Sequence, residues 1–115
     1  MELKNLSKRA VEIKKRYSKI ELDKFGKEWT NTQIMQGFVG DVGDLMKLIM
    51  VKEGIREIED VDNKIAHELA DCLFSILVLA QRFNIDIEQA FIKTMNELDE
   101  RLKKYKRGLS PKNDD

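Results

Sequence analysis

With a single cysteine, Cys72, the chain cannot close a disulfide on itself, and a lone thiol suits a reducing compartment. Net charge is also missing: 21 basic residues stand against 21 acidic ones, which argues against a protein that holds nucleic acid by its overall field. No apolar run approaches the roughly 18 residues of a membrane span, and the opening stretch MELKNLSKRAVEIKKR carries no apolar leader segment. These absences lead us to expect a cytoplasmic protein with no membrane and no nucleic acid polymer as partner. Alternating strand patterns and internal repeats are absent too. What is present is helix.

Leu3, Leu6, Ala10, Ile13, Tyr17 and Ile20 step by three and four residues, a narrow apolar seam on a long, highly charged first helix. The run Phe25-Gly26-Lys27-Glu28-Trp29 breaks that pattern, and Thr30 or Asn31 can cap a second helix that runs to about Lys52 and ends at Gly54. A charged connection follows, after which Asp62 or Asn63 can cap a third helix ending near Phe83. Asp86 caps a fourth, whose core face is Ile87, Phe91, Met95, Leu98, Leu102 and Tyr105 and whose stop is Gly108. The predicted fold is all-α, a bundle of four to five helices, with residues 1–107 as one domain and 108–115 as a polar tail expected to be disordered. So many amphipathic helices in 115 residues leave apolar surface unspent, so we expect the bundle to assemble as a homo-oligomer; a tetramer before a dimer is what the resemblance given below implies.

Two pairs of carboxylates sit inside the most apolar stretches, Asp41 with Asp44 in FVGDVGDLMKLIM and Glu68 with Asp71 in ELADCLFSILVLA. On a helix, i, i+3 spacing puts the members of each pair about 60° apart, on one face. An unpaired buried carboxylate costs several kcal/mol or must take up a proton, so something positive is expected between the pairs. Packing the two helices together would gather four carboxylates with no basic residue among them, and a hard divalent cation is the natural partner for that many oxygens. An isolated acidic pair is more often a solvated helix face; two such pairs inside apolar helices, taken together with the resemblance given below, reverse that reading. Gly37, Gly40 and Gly43, each costing roughly 1 kcal/mol in a helix interior, fit either close helix packing or room for a ligand beside the acids. His67 is read as surface or packing and Cys72 as a small packed hydrophobe. Trp29 is read first as a core or interface anchor, with stacking on a base as the alternative.

The stretches VGDVGDLMKL and HELADCLFSILVLAQRFNIDIEQAF resemble the MazG-like nucleoside triphosphate pyrophosphohydrolases, over residues 29 to 105 or so. That family's signature is an ExxE pair followed at a distance by ExxD. Here Asp41 and Asp44 replace both glutamates of the first pair, while Glu68 and Asp71 match the second outright. The resemblance implies Asp41, Asp44, Glu68 and Asp71 as catalytic metal ligands, Mg²⁺ as the cation with Mn²⁺ as the alternative, and a nucleoside triphosphate cut to its monophosphate and pyrophosphate. It also implies a phosphate-facing Lys, Asn and Arg along the last helix, for which Lys93, Asn96 and Arg101 offer the residue types. Their spacing departs from the family's: with the register set by Met95, the Lys and Asn positions fall on Thr94 and Leu98, and Arg101 alone keeps its place. Two other classes compete. A helical interaction module has no use for four acids on apolar stripes, and a degenerate member would bind nucleotide or metal without turnover.

Overall fold

The periodicities of the sequence become four helices in the computed structural model, which describes residues 2–54, 57–106 and 108: α1 (Leu3–Phe25), α2 (Asn31–Lys52), α3 (Val61–Arg82) and α4 (Ile87–Lys106). Among the described residues there is no strand, and no helix is long and apolar enough to cross a membrane. The helices fall into two compact units, Met1–Asn84 with α1, α2 and α3, and Ile85–Asp115 with α4. The expected polar tail lies outside the described residues apart from Gly108, whose N–H meets Tyr105 O at 3.0 Å and whose φ of 76° suits the stop expected there.

Local chemistry sets the boundaries. α1 ends where Gly26 takes a left-handed φ of 76° and its N–H reaches Leu22 O at 3.0 Å. α2 opens on a reciprocal cap: the Gln33 N–H donates to Thr30 Oγ1 at 3.2 Å, and the Thr30 N–H donates to Gln33 Oε1 at 2.9 Å. α3 begins earlier than the sequence led us to expect. Asp60, left-handed at φ 59°, precedes it and accepts from Asn63 Nδ2 at 2.8 Å, so Asp62 and Asn63 belong to the first turn and cap nothing. At α4 the Gln89 N–H donates to Asp86 Oδ1 at 3.1 Å, the cap expected of Asp86.

In the first unit α3 is the shared element, packing most extensively on α2 and also on α1. The buried positions are Ile34 and Val51 on α2, Cys72, Leu77, Val78 and Ala80 on α3, and Ala10 and Ser18 on α1. α1 uses its apolar seam only in part: Ala10 is buried and Leu3 and Ile13 are half-buried, but Leu6, Tyr17 and Ile20 are 38, 57 and 48 % exposed. Small side chains let helix backbones approach, so the face of Ala10 and Ser18 packs, with Lys14 and Glu21 half-buried alongside. α2 is apolar on two sides. Ile34, Leu45, Leu48 and Val51 turn inward with Asp41, while Met35, Val39, Val42, Met46 and Ile49, spaced by four and three, stay exposed on the other side.

Candidate metal centre

Because the stripe of α2 that meets α3 includes Asp41, the packing of these two helices carries acids into a partly desolvated seam. Asp41, Asp44 and Glu68 each offer a carboxylate oxygen, and the three oxygens lie within 4.8 Å of one another. Asp41 and Glu68 are half-buried and Asp44 is exposed. Glu68 Oε2 is buried with no hydrogen-bond partner. Such an orphaned acceptor costs free energy unless something absent from the chain itself meets it.

The electrostatics point the same way. Burial, then the negative charges of Asp71 and Asp44, hold the Asp41 carboxyl above its ordinary range, with His67 acting weakly in the opposite sense. Glu68 is raised by burial and then by Asp41, Asp71 and Asp44. Among the described residues no lysine or arginine pairs with Asp41, Asp44 or Glu68. An all-oxygen donor set, one buried oxygen without a partner and uncompensated repulsion together fit a hard divalent cation.

Asp71 stands beside this group, near enough to raise both Asp41 and Glu68. Its Oδ2 is 3.1 Å from His67 Nε2, one helical turn back. The sequence reading of His67 as surface or packing missed this contact, although the i, i+4 spacing was the available signal. Cys72 is buried, and burial followed by the neighbouring acids pushes its thiol up, so it packs as a neutral side chain.

The three glycines of α2 divide between the two readings open to them. A Cβ on Gly37 would come within 3.3 Å of the Trp29 ring, so this glycine admits the indole; Gly40 and Gly43 face open space. Trp29 is further held by its backbone N–H, which donates to Glu21 Oε1 at 2.8 Å, and by Lys14 Nζ, 5.6 Å from the ring centroid. Lys93 and Asn96 are exposed and Arg101 is half-buried, all on α4 in the second unit.

The sequence model of one family, described as MazG nucleotide pyrophosphohydrolase domain, matches residues 30–105. Among curated proteins and among solved structures, nothing matches the chain.

Proposed function

The chain belongs to the MazG nucleotide pyrophosphohydrolase family, and on that premise we propose that it hydrolyses a nucleoside triphosphate, ribose or deoxyribose, to the nucleoside monophosphate and pyrophosphate. The observation that carries the reading is the buried, unpartnered Oε2 of Glu68 among the oxygens of Asp41 and Asp44. In this proposal Asp41, Asp44, Glu68 and Asp71 hold a divalent cation, Mg²⁺ before Mn²⁺. The chemistry such a cation supplies when bound is neutralisation of charge on the phosphate oxygens and orientation of the phosphate chain.

The chain's own groups do the rest. One carboxylate of the first pair, Asp41 or Asp44, orients a water toward the α-phosphorus and accepts its proton. The new bond joins the water oxygen to that phosphorus, the bond from it to the α–β bridging oxygen breaks, and the bridging oxygen leaves with pyrophosphate. No protein nucleophile is needed. Asp71, steadied by His67, fixes the second pair, and the open faces of Gly40 and Gly43 leave room beside the acids. Lys93, Asn96 and Arg101 are assigned to the phosphates by residue type, and Trp29 to the base.

Self-assembly belongs to the same proposal, as a homotetramer or homodimer in the cytoplasm. The exposed stripe of α2 and the exposed seam of α1 are apolar surfaces of the kind that a second copy buries. The deciding experiment is incubation with the common nucleoside triphosphates and Mg²⁺, with both products read. Monophosphate and pyrophosphate are expected. Orthophosphate with nucleoside diphosphate, or no turnover of any triphosphate, would overturn the reading.

A further inference from the structure

At the C-terminal end of α3, away from the acids, α1 and α3 enclose a groove of about 380 Å³. Its charged lining is Lys14, Lys15 and Lys19 from α1 and Arg82 from α3, opposed by Glu28 from the α1–α2 connection. In a chain with no net charge, this is a pronounced local excess of positive charge.

The cations are not equivalent. Lys14 is compensated by Glu21 Oε2 at 3.2 Å, with both side chains largely buried at 11 and 14 % exposure. Arg82 Nη1 donates to Asn31 Oδ1 at 3.2 Å, which fixes the guanidinium in place and leaves its charge intact. Lys15 and Lys19 are one helical turn apart, and among the described residues no carboxylate pairs with either. Like charges at that spacing repel, and an anion seated between them and Arg82 would convert the repulsion into attraction. Ser18, which is buried, adds a hydroxyl on the same wall, and Leu22 and Val78 supply an apolar floor.

Size narrows the ligand. The groove has the volume of about a dozen waters, at ~30 Å³ each, more than a single phosphate displaces. It is also separate from the acidic cluster, since Asp71 and Arg82 are ~16 Å apart along the axis of α3. We propose that this groove is a binding site for an oligophosphate anion, the chemistry shared by inorganic polyphosphates and the phosphate chain of a nucleotide, distinct from the carboxylate site. Lys15, Lys19 and Arg82 carry the charge recognition and Ser18 donates a hydrogen bond.

Calorimetric titration of the full chain with tripolyphosphate, in EDTA and low salt, tests this without engaging a metal-dependent site. Wild type is expected to bind, less tightly as salt rises. Lys15→Glu with Lys19→Glu should weaken binding at least about tenfold, because two attractive charges become repulsive. Both positions are exposed, and a melting curve matching wild type checks that the double variant is folded. Asp71→Asn should bind like wild type, which keeps this site's fate separate from that of the proposed hydrolase. A nucleoside triphosphate arm divides the sources: affinity equal to tripolyphosphate assigns the phosphates alone, and higher affinity assigns a nucleotide whose base rests on Leu22 and Val78. No binding by wild type, or undiminished binding by the double variant, would overturn the proposal, as would binding lost in Asp71→Asn and kept in the double variant.

Discussion

α3 carries like charges at two places, and they are held differently. Toward α2, Glu68 and Asp71 join Asp41 and Asp44 in a partly buried cluster in which two carboxyls are raised and one oxygen is orphaned. Toward α1, Arg82 faces Lys15 and Lys19, and both lysines stay exposed. Water screens the second group well and the half-buried carboxyls of Asp41 and Glu68 less completely. The contrast teaches that the number of like charges says little about a site until their desolvation is known. The acids are costly to the empty fold; the lysines are nearly free.

The largest expected effect follows from removing an acid. Glu68→Gln should lower the rate of triphosphate cleavage at least about 10²-fold, as when a metal-positioning group is lost. The metal-free variant should melt no lower than wild type, because its repulsion is relieved. A variant with wild-type turnover would erase the distinction between the two regions.

Metal addition is next. Saturating Mg²⁺ at ~100 times its dissociation constant should stabilise wild type by about 2.7 kcal/mol, seen as a rise in melting temperature. Asp71→Asn should lose most of that rise, and Lys15→Ala should keep it. Equal shifts in wild type and Asp71→Asn would mean the cation binds elsewhere.

The pH response should also differ. Asp41 and Glu68 hold their protons to higher pH in the folded chain than in the unfolded one. Between the ordinary carboxylate range and those raised values the folded state binds more protons, so metal-free stability falls as pH rises through that window. Below the window both states are protonated and the cost disappears. Denaturant melts in EDTA should show this slope in wild type and a shallower one in Asp41→Asn.

Smaller effects sharpen the picture at single positions. A Cβ at position 40 meets nothing within 4 Å, so Gly40→Ala should gain roughly 0.5–1 kcal/mol of helix stability. If the open face receives substrate, its rate should drop while its melting temperature rises. Least of all, His67→Ala breaks an exposed contact and should cost under about 1 kcal/mol, read by denaturant titration. A larger loss would show that the pair is shielded from solvent.

Much of this was legible in the sequence. The apolar runs of α2 and α3 are long and periodic, so the two helices could be placed without coordinates, with Asp41 and Glu68 half-buried on them and Asp44 exposed, and the family match over residues 30–105 agrees with the resemblance read from the two acidic pairs. What the periodicity of α1 did not show was which part of it packs: Ala10 of the seam is buried together with Ser18 from outside it, while the bulkier Leu6, Tyr17 and Ile20 stay exposed. The start of α3 was misplaced because Asp60 takes a left-handed conformation, which residue type alone does not announce. The groove at Arg82 depends on two helices meeting, and periodicity within either one cannot reveal it.

The burial of Cys72 has a kinetic meaning. A thiol attacks electrophiles as thiolate, and this one is shielded and is held protonated by its burial first and by its acidic neighbours second. It therefore reacts only in the moments when α3 parts from its neighbours, and its labelling rate is a clock for that opening. Since the sequence holds no other cysteine, the chain comes with a single built-in probe, next to Asp71 on α3.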